Sequence, residues 1–399
     1  MAEKQRIAVI FGGRSPEHDV SVVTGLQVLR AVDSSRYDAF PVYVTPQGEW
    51  LVGEPLAEQG NYLPDANLRQ RLTAVTPDVT TRGKGVLVPR ERKLLRAAQP
   101  VLFDVALLAF HGTTGEDGQM QGLFETAGVP YTGMRTLASA VLMDKAATKR
   151  MLSGLGIAML PQVVIPKPQQ GLIIDRAALE ALVKDAPFPA VVKPNHLGSS
   201  IGVAKVNTID ELAAVLPQIF RLDTSAVLEA YVPNLVEYNV SVSNFGNVLR
   251  TSAIERPKSA AELLDFKQKY LPKGGKTATK IPGQSSEGML SLTRDINPSL
   301  PPETEAKIRR WAEQAFLTVG GTGAPRTDFL GDSKTGEVWL NEVNPCPGSF
   351  GFFLWEAARE PMLFTKLLTN LIEEAIEQNR RARMPDDPTL EEARLFKRS

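Results

Sequence analysis

Short apolar runs that end at glycine or polar residues alternate with segments of helical periodicity along most of the chain. The first run, Ile7 to Phe11, is continuously apolar, which is typical of a buried parallel strand. A segment of helical spacing and a second apolar run, Phe40 to Val44, follow it. Residues 46–100 are predicted to be rich in loops, and a strand over 104–110 comes next. This order of strands and helix predicts an open α/β unit that binds ligands beyond the carboxyl ends of its strands. Its helix is expected to bury Val22, Val23, Leu26 and Leu29.

The pattern changes after Gly133 and again near Ser225. The first change introduces one long predicted helix, Leu137 to Leu155, and two strands, Phe188 to Lys193 and Ile201 to Val206. The second introduces three more strands, at 227–232, 238–245 and 248–255. A helix follows, with one apolar face formed by Ile308, Ala312, Ala315 and Phe316. The final helix carries an apolar stripe, interpreted as core packing, at Phe364, Leu367, Leu368, Leu371, Ala375 and Ile376.

The stretch NEVNPCPGSF, residues 341–350, ends an apolar strand with a carboxylate and a carboxamide two residues apart. Side chains at i and i+2 of a strand share a face, so Glu342 and Asn344 point the same way. A hairpin with the preceding strand, centred near Thr335, places Asp328 opposite Glu342. Three oxygen-bearing side chains then converge, as a hard cation such as Mg²⁺ requires. The alternative is a polar sheet edge with solvated charges.

Two lysines and a small-residue loop are candidates for phosphate binding. Lys193 ends an apolar strand, where a buried lysine needs an anion or a carboxylate beside it. The loop that follows contains Ser199 and Ser200 between glycines, and small residues let backbone amides approach phosphate oxygens closely. Lys145 on the preceding helix is the second candidate lysine. The alternatives are an ordinary hairpin turn and a solvated helix lysine.

A basic segment and a pair of glutamates complete the candidates. From Ala253 to Pro282 the chain has seven basic and three acidic residues, a net charge of +4 in an electrically neutral protein. Its glycines suggest a segment that closes over a charged substrate and excludes water, and the alternative is a solvated loop. Glu229 and Glu237 lie eight residues apart, where a hinge between domains offers carboxylates to an adenine amine and to ribose hydroxyls.

Composition narrows the classes of function. The 399 residues suffice for two or three domains, and 43% hydrophobic and 23% charged residues are ordinary for a globular protein. Lys plus Arg and Asp plus Glu each number 45, so no bulk charge favours nucleic acid or an anionic membrane. The single cysteine, Cys346, excludes an internal disulfide and fits a reducing compartment. Without a leader-like start or an apolar run of about 18 residues, a cytoplasmic protein with no membrane contact is expected.

Seven motifs, taken in order, make the sequence resemble a D-alanine-D-alanine ligase of the ATP-grasp superfamily. The resemblance runs from about Arg6 to Ile376 and implies an α/β (α+β) fold of three domains with ATP gripped between the last two. The domains are an N-terminal α/β parallel-sheet domain at 1–135, a small domain at 136–224, and a domain with the metal site and a charged tail at 225–399. The motifs are FGGRSPEHDVS, HGTTGEDGQMQGLFETAGVPYTG, LASAVLMDKAATKRML, VVKPNHLGSSIGVAKV, DFKQKY, RTDF and NEVNPCPG.

The resemblance implies a stepwise reaction. ATP phosphorylates the carboxylate of one D-alanine, and the amine of a second D-alanine attacks the acyl phosphate, which gives D-alanyl-D-alanine for peptidoglycan precursors. Two Mg²⁺ ions, with Mn²⁺ as a possible substitute, would be held by Asp328, Glu342 and Asn344. The phosphates would contact Lys145, Lys193, Ser200 and Lys269, and the nucleoside would contact Glu229 and Glu237.

The same match implies roles near the reacting atoms. Arg326 and the backbone amide of Gly348 resemble the oxyanion stabilisers of the family. Glu17, with His111 nearby, would bind the ammonium group of the first amino acid, although the helix dipole alone also favours a carboxylate at a helix start. The family also implies a homodimer. Its hydrogen-bonded trio, which ties the N-terminal domain to the closing loops, corresponds to Glu17, Ser199 and Tyr270.

One position departs from the family pattern. Phe353 stands where a serine is expected to receive the carboxylate of the second amino acid, and a phenylalanine cannot donate a hydrogen bond. Recognition through Ser349 and an acceptor other than D-alanine are both open. Three hypotheses follow: a D-alanine-D-alanine ligase, an ATP-grasp ligase for a different amino acid or hydroxy acid, and a nucleotide-binding protein without turnover. The last is disfavoured by the intact set Arg326, Asp328, Glu342 and Asn344.

Overall fold

The computed structural model describes residues 4–62, 66–81, 83–90, 99–258 and 294–382. Within these ranges the strands form three sheets, and no helix is both long and apolar enough to cross a lipid bilayer. The helices, in chain order, are α1 (His18–Ala31), α2 (Ala66–Arg69), α3 (Gln119–Ala127), α4 (Thr136–Met143), α5 (Lys145–Leu152), α6 (Arg176–Val183), α7 (Ile209–Ile219), α8 (Pro302–Thr318), α9 (Phe352–Glu356) and α10 (Phe364–Ala382).

The first sheet begins with the predicted β-α-β unit, because β1 (Gln5–Gly12) pairs in parallel with β2 (Tyr37–Val44) and also with β7 (Val105–Leu108). The sequence predicts a loop-rich stretch over 46–100, whereas the structure places three antiparallel strands, β3 to β5, in that stretch. They are only three to five residues long, too short for an alternating pattern to stand out. The strands are β1 (Gln5–Gly12), β2 (Tyr37–Val44), β3 (Trp50–Val52), β4 (Thr73–Pro77), β5 (Gly85–Pro89), β6 (Val101–Phe103) and β7 (Val105–Leu108).

Both faces of β1 are covered, which explains its continuous apolar run. Ile7, Val9 and Phe11 belong to a core with α1 and α10, and the alternate residues Ala8 and Ile10 belong to a core with α3. Val22 and Leu26 of α1 are buried as predicted, but Val23 is 43% exposed, so its predicted inward position is wrong. Val23 follows Val22 by about 100° around the helix, which takes it past the edge of the buried stripe.

The second sheet is antiparallel and is covered by α6 and α7. The chain enters it through α4 and α5, which the sequence predicts as one helix from Leu137 to Leu155. That prediction is wrong at Asp144, whose backbone is extended and whose Oδ1 accepts a hydrogen bond from the Ala147 amide at 2.7 Å. Asp144 therefore ends α4 and caps α5. The strands are β8 (Gln162–Pro166), β9 (Ala190–Pro194), β10 (Ala204–Val206) and β11 (Ser225–Ala230).

The third sheet is also antiparallel, and its spatial order is β14-β13-β12-β15-β16. Helix α8 buries the predicted residues Ile308, Ala312, Ala315 and Phe316 against it, and α10 packs its predicted stripe on the first sheet instead. The last helix of the described chain therefore packs against the sheet that its first residues form. The strands are β12 (Leu235–Ser243), β13 (Arg250–Pro257), β14 (Arg294–Ile296), β15 (Arg326–Asp332) and β16 (Val338–Asn344).

Candidate functional site

The predicted hairpin brings polar side chains of β15 and β16 together. Asp328 is the register partner of Glu342 and Arg326 is the partner of Asn344, which confirms the predicted pairing. A β-bulge directly after Asp328 shifts the register beyond it, as bulges commonly do where a side chain is re-aimed. Asp328, Glu342 and Asn344 are all partly exposed.

Each of the two carboxylates is faced by a cation. The Arg326 guanidinium donates from Nε and Nη2 to the two oxygens of Asp328, both at 2.6 Å. Asn344 Nδ2 donates to Asp328 Oδ2 at 3.1 Å, and Lys145 Nζ lies 3.2 Å from Glu342 Oε2. Lys145 Nζ also donates to the carbonyl of Leu197 at 2.6 Å, so it joins β16 to the loop between β9 and β10.

The donor set fits Mg²⁺. Asp328, Glu342 and Asn344 offer only oxygen ligands, which hard divalent cations prefer. Among the residues that the structure describes, no group of three or more His, Cys, Asp or Glu side chains is arranged to hold a metal ion. The candidate site therefore depends on two carboxylates and one carboxamide, and it would leave further positions on the ion to phosphate oxygens and water.

Glu229, near the end of β11, is a buried carboxylate between two buried lysines. Its Oε2 lies 2.7 Å from Lys193 Nζ, and its Oε1 accepts a hydrogen bond from Lys149 Nζ. Burial favours the neutral acid, but the two lysines outweigh it and hold the pKa of Glu229 below its ordinary value. Burial lowers the pKa of Lys149 despite the opposing charge of Glu229. Lys193 also donates to Asn341 Oδ1 at 2.9 Å, which links the second sheet to the third.

The loop between β9 and β10 reaches the start of α1 through Ser199, whose hydroxyl donates a hydrogen bond to Glu17. The structure thus brings these two predicted residues together. Gly112 lines the same carboxylate at a φ of 75°, and a Cβ there would lie 2.7 Å from Glu17 Oε2. Ser199 and Ser200 have φ values of 51° and 58°, a left-handed conformation that is strained for serine and common in functional turns.

His111 and Glu116 form a buried polar cluster close to the turn after β16. His111 Nε2 lies 2.8 Å from Thr24 Oγ1, and its Nδ1 lies 4.0 Å from Glu116. Burial lowers the pKa of His111 to about 4, so the imidazole is neutral at neutral pH. Glu116 accepts a hydrogen bond from the Cys346 amide at 2.8 Å, and burial, followed by the charge of Glu17, raises its pKa. The cluster ties the first sheet to the turn that carries Gly348.

This turn presents Gly348 and then folds back on α1. Ser349 and Phe350 both adopt left-handed conformations, with φ values of 51° and 56°. The Ser349 amide donates to Thr24 Oγ1 at 3.1 Å, and the Ser349 hydroxyl donates to the side-chain oxygen of Gln27. The hydroxyl predicted to contact the second amino acid is therefore engaged with α1.

Phe353, the residue that departs from the family pattern, lies beside an arginine. The guanidinium carbon of Arg294 is 4.7 Å from the centre of the Phe353 ring. Arg294 Nη1 donates to the buried Glu255 at 2.9 Å, and Asn239 Nδ2 donates to the other oxygen of Glu255 at 2.8 Å. Asn239 is the register partner of both Glu255 and Asp328, so these side chains share one face of the third sheet.

The remaining predicted residues lie apart from these contacts or outside the described chain. Glu237 is partly exposed in β12, opposite Leu330 of β15. Ser200 follows Ser199 in the turn at the edge of the second sheet. Lys269 and Tyr270 lie outside the described residues, as does most of the basic segment.

Four residues of the site escape sequence reasoning: Lys149, Glu116, His196 and Arg294. Lys149 follows Lys145 by four residues, so the two lysines on one helix face were a usable signal. Glu116 lies inside the polar loop that follows β7, and only its burial distinguishes it from the neighbouring acidic residues. His196 has no local signal, because its partners Asp144 and Asp223 come from other segments.

Known proteins are similar to this chain over most of its length. Family models described as the D-ala D-ala ligase N-terminus and C-terminus match residues 6–134 and 151–373. A D-alanine--D-alanine ligase of Chlorobium chlorochromatii is 34% identical over 385 residues, which cover 94% of this chain and 99% of the relative. The crystal structure of the VanG D-Ala:D-Ser ligase from Enterococcus faecalis matches with a TM-score of 0.69 at 25% identity, over 94% of this chain and 100% of that one.

A D-alanine--D-alanine ligase from Bacillus anthracis complexed with ATP matches with a TM-score of 0.60 at 23% identity, over 94% of this chain and 99% of that one. At that identity the match concerns the fold alone. The two family models together span most of the chain, and the curated relative is similar over nearly its whole length. The chain therefore belongs to the D-alanine-D-alanine ligase family and has the mixed α/β ATP-grasp fold of that family.

Proposed function

We propose that this chain joins two D-alanine molecules to D-alanyl-D-alanine, with conversion of ATP to ADP and phosphate, in the synthesis of peptidoglycan precursors. Family membership supports an ATP-dependent ligase. The observation that carries the proposal is the register pair of Asp328 and Glu342, with Lys145 3.2 Å from Glu342. A carboxylate oxygen of the first D-alanine attacks the γ-phosphorus and ADP leaves. The amine of the second then attacks the acyl carbon and forms the C–N bond, the C–O bond to phosphate breaks so that phosphate leaves with its electron pair, and the amine loses a proton.

Asp328, Glu342 and Asn344 would hold two Mg²⁺ ions, for which Mn²⁺ is an alternative. When bound, these ions would offset the charge of the ATP phosphates. Lys145 and Lys193 would meet the same phosphates from the side of the second sheet. Each of these lysines lies against a carboxylate, at 3.2 Å and 2.7 Å. Bound phosphate would share the positive charge of each lysine with the carboxylate beside it.

Arg326 and the Gly348 amide would stabilise the oxyanion that forms when the amine attacks. Both donors are held in place by neighbours: Arg326 by its paired hydrogen bonds to Asp328, and the Gly348 turn by the contact of Glu116 with the Cys346 amide. Donors fixed before the reaction need no rearrangement as charge develops, and one such donor typically contributes about 100-fold to 1000-fold in rate.

Glu17 would bind the ammonium group of the first D-alanine, in a position that Ser199 and Gly112 define. Arg294 would receive the carboxylate of the second, because Phe353 offers no donor and the guanidinium lies over its ring. Every α-amino acid acceptor carries that carboxylate. The replacement of a serine by Phe353 is therefore compatible with D-alanine as the acceptor.

The same proposal covers the domain organisation, the location and the oligomeric state. The three sheets would correspond to domains at 1–135, 136–224 and 225–399, with ATP between the last two. A cytoplasmic location is supported by the need for ATP and by the single cysteine, which fits a reducing compartment. A homodimer rests on the family alone, and a monomeric mass in light scattering would refute it.

Phosphate release from ATP and Mg²⁺ in the presence of single amino acids tests the proposal. D-alanine alone should elicit release and yield the dipeptide, which mass spectrometry would identify. Release only with D-alanine plus a different amino or hydroxy acid would instead establish a ligase with another acceptor. Nucleotide binding without release for any acceptor would overturn the ligase proposal.

A further inference from the structure

His196 lies in the loop between β9 and β10 and bridges two carboxylates from different segments. Its Nδ1 is 2.7 Å from Asp223 Oδ1, just before β11, and its Nε2 is 3.3 Å from Asp144 Oδ2, the cap of α5. The His196 amide also donates to Asp223 Oδ2 at 2.7 Å. One side chain thus connects the loop, the start of a strand and the start of a helix.

Only a charged imidazole can make both ring contacts at the same time. A neutral imidazole has one N–H and can donate to only one carboxylate, whereas the imidazolium donates to both. The hydrogen bond to Asp223, with the charges of Asp223 and Asp144, outweighs partial burial and raises the pKa of His196. The Asn195 side-chain amide also lies beside the ring, with its Nδ2 3.2 Å from Nε2, and it hydrogen-bonds Asp144. Because Nδ2 is a donor, it bonds Nε2 only when that nitrogen is unprotonated, whereas in the charged form both groups donate to Asp144.

The contacts of His196 bear directly on groups proposed to bind phosphate. Asn195 accepts hydrogen bonds from the first two amides of α5, from Lys145 at its backbone oxygen (3.1 Å) and from Ala146 at Oδ1 (3.0 Å). Lys145 Nζ in turn donates to the Leu197 carbonyl. The loop and the helix start are therefore joined on both sides of His196, and Ser199 follows three residues later.

We propose that His196 is a positioning residue for nucleotide binding: its charged ring clamps loop 195–200 between Asp144 and Asp223 and so fixes Lys145 and the loop amides for the phosphates. The inference rests on the proposed function of this site. His196 does not itself touch the nucleotide. Loss of its proton releases one carboxylate, after which the loop is held by fewer contacts and the phosphate ligands are less well ordered.

The sign of the pH effect follows from the raised pKa. Below the ordinary histidine pKa the ring is charged with or without its partners, and the clamp is complete. As pH rises through the raised pKa of the folded protein, the proton is lost and nucleotide affinity falls. A role in stability alone would alter the melting temperature and leave the pH profile of affinity unchanged.

The test uses the full-length protein, with Mg·ADP as the probe and calorimetric titration as the measurement, from about pH 5.5 to 9. His196→Gln should weaken Mg·ADP binding about 10-fold at the acid end, as expected for loss of a charge-assisted hydrogen bond. Its affinity should then lack the wild-type decline at higher pH. Ionisation of the ADP phosphates affects both proteins equally, so the difference between them isolates His196. KM for ATP should rise, with kcat at saturating ATP changed less than KM.

Asp223→Asn provides a second variant, because removal of one carboxylate should shift the fall in affinity to lower pH. Arg176→Gln, which loses a surface cation on α6, the helix that covers the same sheet, is the matched control and should behave as wild type. Melting temperatures of all variants establish that each is folded at the assay temperature. A His196→Gln variant with wild-type affinity, or with the wild-type pH profile, would overturn the inference. Nucleotide binding that follows the predicted profile without D-alanine-dependent phosphate release would refute the ligase function and leave the role of His196 intact.

Discussion

Lys145 Nζ lies 3.2 Å from Glu342 Oε2, an ion pair between the start of α5 and the end of β16. In the proposed reaction each of these groups would bind a partner of opposite charge. Lys145 would bind phosphate, and Glu342 would bind Mg²⁺. The pair therefore marks where nucleotide and metal would come together, between the second and third sheets.

Glu342→Gln should abolish turnover and leave the fold largely intact. The amide keeps the shape of the side chain but removes the charge that a divalent cation needs, so kcat should fall at least about 100-fold. Phosphate release with ATP and D-alanine measures the effect, and circular dichroism checks the fold. Glu337→Gln, on an exposed part of the same hairpin, is the matched control and should retain full activity. Unchanged release by Glu342→Gln would remove this residue from the metal site.

Arg294→Met should raise KM for the second D-alanine by about 10-fold to 100-fold, because a charge-assisted bond to its carboxylate is lost. KM for ATP should be unaffected. Initial rates at saturating ATP, fitted with separate constants for the two D-alanine sites, give the value. Arg256→Met removes a neighbouring surface arginine that pairs with Asp295 and serves as the control. An acceptor KM equal to that of wild type, in a folded variant, would contradict the role of Arg294.

Lys149→Met should lower the free energy of unfolding by about 3 kcal/mol, since it leaves the buried Glu229 with one cation instead of two. Urea unfolding at neutral pH measures this change. The exposed Lys184→Met should change stability by less than about 0.5 kcal/mol. A loss in Lys149→Met no larger than in this control would show that Lys193 alone satisfies Glu229.

The same variant should change stability in acid. The depressed pKa of Glu229 means that its stabilisation is present above its ordinary pKa of 4.5 and is lost as pH falls through the lower value of the folded protein. Without Lys149 that folded pKa rises, so the loss should begin at a higher pH. Melting temperatures between about pH 3 and 6 would show the shift, and parallel curves for the two proteins would contradict it.

Glu374→Gln should stabilise the protein at alkaline pH and not in acid. Burial raises the pKa of Glu374 to about 7, above its ordinary 4.5, while its carboxylate accepts a hydrogen bond from the Gly323 amide at 2.7 Å. The native state favours the protonated acid, so this contribution is complete below about pH 4.5 and is lost as pH rises through 7. Glutamine keeps the acceptor without the charge.

The expected gain is about 2 kcal/mol near pH 8, allowing for the partial exposure of the side chain, and close to zero near pH 4.5. Unfolding free energies of both proteins at the two pH values provide the measurement. Glu377→Gln, on the same helix, is the control of opposite sign, because arginine partners lower the pKa of Glu377 to about 2. An equal effect of Glu374→Gln at both pH values would show that ionisation of Glu374 does not matter to stability.

Features that depend on local periodicity could be predicted from the sequence. Alternation along β15 and β16, with a turn between them, was enough to place Asp328 opposite Glu342, because the two strands are close in the chain and their pairing has few alternatives. The apolar stripes of α8 and α10 were likewise evident, since 3.6-residue spacing encodes which face is buried.

Which polar groups meet between distant segments depends on how the whole chain packs. Glu229 and Lys149 are 80 residues apart, Lys193 and Asn341 are 148 apart, and Ser199 and Glu17 are 182 apart. The break at Asp144 has a local cause, since its carboxylate caps α5, but the contact of Asp144 with His196 from a distant loop belongs to the same class. No periodic pattern encodes such contacts. They form because burial of an unpaired charge is costly, so a buried charge needs a partner beside it. Which residue lies beside it depends on the packing of the whole chain.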